Sequence, residues 1–182
     1  MRTLRPPLCV ATAIAVAIVV PAAWAGTHDV VQVQTVTEVS SLEGNLMAAL
    51  NNFRQARGLR PFRPSARLRA SALRHSGEMA RHGYFDHSSP NGAAFWRRIA
   101  QYYAPRGYRR WSVGENLAYG QPGLGAADVL RHWLASPAHR ANVVSTGWRD
   151  AGISAVFVTS APGFFGGLPT TIVTLDVGIR RR

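Results

Sequence analysis

From Ser40 onward the apolar residues recur at helical spacing. Leu42, Leu46, Ala49, Leu50 and Phe53 fall on one helix face. Ser40 and Glu43 stand three apart, as a capping box requires, and predict the helix start. Gly58 ends this helix, and Pro61 and Pro64 hold the next segment extended. A second helix is predicted from Ser65 to His82, with Leu68, Ala72, Ser76 and Met79 along one side and Gly83 as its stop. A third, shorter one fits Ala93 to Tyr103, before Pro105 and Gly107.

Val113 to Gly120 is bounded by glycines and reads as a short strand or a turn. The clearest helix follows. Ala126, Val129, Leu130, Trp133 and Leu134 make an unbroken apolar stripe, which Pro137 is expected to close. The period then changes to two. Ile153, Ala155 and Phe157 share one side of a strand, and Val173, Leu175, Val177 and Ile179 share one side of another. The glycine-rich link Ser160–Pro169 predicts a long hairpin loop between them. Helices first and a strand pair last indicate an α+β fold, an antiparallel sheet covered by helices.

The N-terminus changes the reading of the compartment. Arg2 and Arg5 precede the apolar run Val10–Val20, and Ala23 to Ala25 form an A-x-A cleavage pattern. Residues 1–25 therefore read as a signal peptide, 26–39 as a linker or extended arm, and 40–182 as a single domain. Cleavage leaves no transmembrane segment, and the expected location is secreted or on the cell-envelope exterior. Cys9 is the only cysteine and leaves with the signal. The exported domain then rests on its core without disulfides, and thiolate catalysis and thiolate metal sites are excluded. A monomer is expected.

Charge adds a second constraint. The formal net charge is +12, and all 21 basic side chains are arginine. A basic protein is drawn to anionic partners such as wall polymer, lipid headgroup or acidic glycan. The arginines are scattered, however, and only the C-terminal stretch has three in a row. Arginine-biased composition with surface exposure is the favoured explanation. No zinc-finger spacing or aromatic RNA-binding signature is present, so no specific nucleic-acid partner is expected.

Candidate chemistry rests on few residues. His75, His82 and His132 lie on predicted helices, with His75 at an apolar edge as a packed, hydrogen-bonded residue. His87 and His139 differ, because both sit at turns just beyond helix ends. Glu115 is a carboxylate between Gly114 and Asn116 in an apolar stretch, where burial demands a partner. Trp96, Tyr102, Tyr103, Tyr108 and Trp111 are interleaved with arginines. They read either as a carbohydrate or lipid-headgroup platform or, preferably, as helix packing beside a solvated basic loop.

These residues carry a family resemblance. The stretch Asn51–His87, then "GENLAYG", "WLASPAHRANV" and "DAGISAVF", in that order, is similar to bacterial members of the CAP superfamily (cysteine-rich secretory proteins, antigen 5, pathogenesis-related 1). The match runs from about Leu46 to Gly178. It implies an α-β-α sandwich of the SCP type with an open cleft holding two histidines and two acidic residues. His87 falls on the first histidine, Glu115 on the glutamate of the G-E-N motif, and His139 on the second histidine. Ser136 stands where the second acidic residue would be. The family's late aromatic-glutamine sequence and its disulfides are absent.

Two arrangements remain open for such a cleft. His87 and His139 could hold zinc, with waters or a carboxylate completing the shell. Alternatively, Glu115 accepts hydrogen bonds from both rings in a structural triad, the preferred arrangement with one carboxylate missing. Two functions follow. The preferred one is an extracellular binding or interaction module for an envelope or host ligand, a lipid or an anionic glycan. The other is a metal-dependent or acid-base hydrolase with His87, Glu115 and His139 as catalytic candidates. Ser88, Ser89 and Ser136 lack a nucleophile-elbow context.

Overall fold

The computed structural model describes residues 36–182, with side chains from Ser40 onward. The predicted signal peptide and most of the predicted arm lie outside them. Helix α1 spans Val36–Gln55, beginning before the predicted Ser40 cap. Glu43 therefore does not cap: it accepts from Arg69 Nε at 2.7 Å and from the Ala155 N–H at 3.1 Å, tying α1 to its neighbours. A two-residue strand, β1 (Arg63–Pro64), follows and was not expected.

Helix α2 spans Ala66–His82 and has the predicted ends. The Ser65 side chain accepts from the Leu68 N–H at 3.3 Å, and Gly83 closes the helix at φ 64°, a left-handed conformation suited to glycine. Helix α3 covers Phe95–Tyr102 and strand β2 Arg110–Gly120. The glycine-bounded stretch is thus the core of an eleven-residue strand. Helix α4 spans Ala126–Ala135, and Pro137 does not simply close it: it opens helix α5, Pro137–Val144. Proline's fixed φ and missing N–H are tolerated in a first helical turn, so the same residue ends one helix and starts the next. Strands β3 (Asp150–Ala161) and β4 (Leu168–Arg181) complete the chain.

The sheet order is β1-β3-β4-β2, antiparallel except for the parallel β1–β3 pair. On one face, Leu46 and Leu50 of α1, Val129 and Trp133 of α4 and Val143 of α5 pack on Ala151, Ile153, Val173, Leu175 and Val177. On the other, Met79 and Ala80 of α2 pack on Leu117, Val158 and Ile172, and Ile99 of α3 packs with Leu68 and Tyr103. This is an α-β-α sandwich. Each fully buried aliphatic side chain in these layers contributes roughly 1.5–3 kcal/mol. At Gly152 a Cβ would run into the backbone of Leu68 and Arg69, so glycine lets α2 sit directly on β3.

Strand β2 is a sheet edge, and its outer backbone is covered by side chains. Asn142 Nδ2 donates to the Glu115 carbonyl at 3.1 Å, and Trp133 Nε1 to the Leu117 carbonyl at 2.9 Å. Two successive outward carbonyls are thus satisfied by α5 and α4, which closes an edge that would otherwise invite pairing.

Candidate functional site

Three segments converge on that edge. The first is the turn after α2. Gly83 reverses the chain, and Phe85 packs edge-on against Tyr119 with ring centroids 4.9 Å apart. His75, fully buried, donates from Nε2 to the Asp86 carbonyl at 2.8 Å. These anchors fix the backbone on both sides of Asp86 and present His87 with its side chain 48% exposed.

The second segment is β2. Glu115 points to the α2–α3 side with its side chain 1% exposed. Its Oε1 accepts from His87 Nδ1 at 2.8 Å, and its Oε2 is paired with Arg98 Nη2. Arg98, 2% exposed, also reaches Ser89 Oγ at 3.0 Å and the His87 carbonyl at 3.3 Å. One guanidinium therefore holds both the carboxylate and the loop carrying the histidine.

The third segment is α5. The His139 carbonyl accepts from Asn116 Nδ2 at 2.9 Å, and Asn116 Oδ1 accepts from Asn142 Nδ2 at 2.8 Å. The half-buried His139 ring lies close enough to His87 to feel its charge. His87 and Glu115 meet directly, and His139 lies within range of the His87 charge. No bond between His139 and the Glu115 carboxylate is found among the described residues, whereas Arg98 takes that carboxylate's second oxygen. Ser136 sits at the α4–α5 junction, and Ser89 Oγ faces Arg98. The aromatic stretch is mixed: Tyr103 is fully buried beneath Arg180, Trp111 Nε1 bonds to the Tyr103 carbonyl at 2.7 Å, and Trp96 is exposed.

Sequence reasoning passed over Arg98, Asn142 and Asp176. Arg98 carried a readable signal: it falls on the stripe of Phe95, Ile99 and Tyr102, where an apolar residue would be expected. Asp176 is directly opposite Glu115 on β4 and is fully buried, with neither oxygen in a good hydrogen bond. Burial, and then the Glu115 charge, push its carboxyl well above the usual carboxylate range.

The three buried or half-buried imidazoles are driven in different directions. The hydrogen bond to Glu115 raises His87, burial lowers His75, and burial together with the His87 charge lowers His139. A raised histidine stabilises the fold below its unfolded pKa, and that contribution is lost as pH rises through its folded value. The lowered pair acts oppositely, costing stability as pH falls below the ordinary histidine range. An NMR titration of the ring protons is expected to place the His87 midpoint above about 6.5, with those of His75 and His139 below it. A His87 midpoint below that of His139 would contradict the Glu115 contact.

The fit to a metal is poor in donors. Among the described residues no three His, Cys, Asp or Glu side chains are grouped to hold an ion. Nδ1 of His87 and both Glu115 oxygens are engaged, which leaves His87 Nε2 and the His139 ring. That falls short of the three protein ligands of a catalytic zinc.

Comparison with known proteins agrees with this architecture. The family model described as "Cysteine-rich secretory protein family" matches residues 47–170. The uncharacterized protein YkwD of Bacillus subtilis (strain 168) is 29% identical over 120 residues, covering 66% of this chain and 44% of YkwD. The chain thus spans under half the length of that curated relative. An extracellular SCP-domain protein from Bacillus anthracis superposes with a TM-score of 0.60 at 20% identity, over 79% of this chain and 41% of its own. An outer surface protein from Borrelia burgdorferi superposes with a TM-score of 0.63 at 19% identity, over 75% and 90%. No helix among the described residues is long and apolar enough to cross a membrane. With the sandwich and the family match in agreement, this chain belongs to the cysteine-rich secretory protein (CAP) family.

Proposed function

We propose that this chain is an exported binding module, and that a lipid or anionic glycan of the envelope or of a host is held at the β2 edge by His87 and His139. The observation that carries the reading is the state of Glu115. One oxygen is bonded to His87 and the other to a buried arginine, so the carboxylate is committed to holding the loop. A general base needs a lone pair within reach of a substrate proton, and the Glu115 side chain is 1% exposed behind His87 and Arg98, so its remaining lone pairs are out of a substrate's reach. His87 remains half exposed, and in its protonated form, which Glu115 favours, its outer nitrogen donates to an anionic or carbonyl group. The exterior location of two structural neighbours supports an exported protein.

One observation favours a second reading as a hydrolase. The His87 and His139 environments shift the pKa values of these two imidazoles in opposite directions, as in an acid–base pair. The two readings separate experimentally. Imidazole signals are followed while the protein is titrated with phosphatidylglycerol vesicles and, separately, with soluble anionic wall glycan. Saturable shifts of His87 and His139 with one of these are expected, and His87→Ala should weaken the binding about tenfold or more. Turnover of an ester, glycan or peptide bond with a bell-shaped pH profile, lost in both His87→Ala and His139→Ala, would replace the binding reading with the hydrolytic one.

A further inference from the structure

A separate cavity of about 610 Å3 lies where the end of α1, the turn after it, β1, the approach to β3 and the end of β4 come together. It shares no lining residue with the His87–Glu115 site. Six of its eleven lining residues are arginines: Arg54, Arg60, Arg63, Arg149, Arg180 and Arg181. None is acidic. The whole chain has 21 arginines in 182 residues, so a scattered composition does not account for this concentration.

The topology builds the cluster. Strands β1, β3 and β4 are neighbours, and at one end the Arg63 N–H donates to the Arg149 carbonyl at 2.9 Å and the Arg149 N–H to the Gly178 carbonyl at 3.0 Å. Adjacent strands lie about 4.8 Å apart, so cations on them are held within range of mutual repulsion. Arginines 69, 74, 98 and 131 have carboxylate partners among the described residues, whereas the six lining arginines have none. Asp150, beside Arg149, does not line the cavity and accepts from the Tyr103 hydroxyl at 2.6 Å.

Two of the arginines are already fixed. Arg54, 1% exposed, is held by the carbonyls of Arg60, Val143 and Ser145 at 2.6–3.0 Å. Arg180 lies over the Tyr103 ring at 3.9 Å. Cations this crowded, without internal counter-charge and partly preorganised, form a site for an anion rather than a solvated surface.

We propose that this cavity binds a soluble anion carrying two or more linked phosphate groups. Guanidinium forks match phosphate oxygens two at a time, and the five lining guanidiniums other than Arg54 exceed what one phosphate can engage. The volume is that of a small-ligand pocket, and Trp148 and Ile179 give it an apolar wall against which a linking group can rest.

The probe is inorganic tripolyphosphate, titrated calorimetrically at physiological ionic strength beside orthophosphate. Tripolyphosphate is expected to bind at one site, at least about tenfold more tightly than orthophosphate. It should also raise the melting temperature, because it binds only the folded cluster. The triple variant Arg60→Ser, Arg63→Ser, Arg181→Ser removes exposed lining cations and should weaken binding about tenfold or more. The control Arg81→Ser, Arg97→Ser, Arg106→Ser removes the same charge elsewhere and should change it less than about threefold. A thermal melt shows that both variants fold. Equal losses in the two variants would mean general attraction to a basic surface and would overturn the proposal. Absence of tripolyphosphate binding by the unaltered chain would overturn it too, including the case in which phosphatidylglycerol vesicles capture the protein instead.

Discussion

Glu115→Ala is expected to destabilise the protein by about 3–5 kcal/mol, because it strands a buried cation. Arg98 is 2% exposed, and Glu115 is its carboxylate partner among the described residues. Removing the carboxylate leaves a guanidinium in a low-dielectric corner with only the His87 carbonyl and Ser89 Oγ as acceptors. The same change frees the His87 ring, whose pKa should fall back toward the ordinary histidine range. Urea unfolding measures the first effect as a lowered midpoint at constant slope, and NMR titration measures the second. Asp176 sets the scale of rescue. The Glu115 charge helps keep it protonated, while Arg98 pulls the other way. With Glu115 gone, Asp176 can ionise toward Arg98, so Asp176→Asn should cost more in the Glu115→Ala background than alone. A Glu115→Ala loss under about 1 kcal/mol, additive with Asp176→Asn, would mean that water already reaches Arg98.

The legible parts of the fold were those in which one local rule acts alone. Ser65 and Gly83 bound α2 as predicted because a side-chain cap and a left-handed glycine each act over a few residues. Pro137 was misread because proline is equally at home after one helix and at the first turn of the next, and only packing on β2 separates the two. β1 has two residues and exists because β3 offers it an edge, which no local pattern records. The family resemblance marked His87, Glu115 and His139, and the structure joins the first two by a hydrogen bond. The contribution of Arg98 escaped because a charged residue on an apolar stripe is readable only as an anomaly, and its partner lies 17 positions away in sequence. Asp176 escaped for a related reason. Alternation on β4 marks the face of Val173, Leu175 and Val177 as buried, but α2 buries the opposite face as well.

Trp133→Ala carries the other large effect, and its consequence should extend beyond α4. The side chain is fully buried among Leu46, Leu50, Val129 and Val173, so truncation should cost about 3–5 kcal/mol in denaturant unfolding. A loss under about 1 kcal/mol would mean that this helix face is not core. Trp133→Phe separates packing from hydrogen bonding. It keeps an aromatic ring but leaves the Leu117 carbonyl without its indole donor, a loss of about 1–3 kcal/mol. Leu117 lies two residues from Glu115 on the outer edge of β2, where α4 and α5 side chains replace the missing neighbouring strand. Loosening that edge should weaken the grip of Glu115 on His87. In Trp133→Phe the His87 midpoint is therefore expected to move down, toward the ordinary histidine value, while His75, anchored to the Asp86 carbonyl on the α2 side, keeps its own. An unchanged His87 midpoint alongside a full loss of stability would show that the Arg98–Glu115 pair alone holds the site, independently of how the β2 edge is sealed.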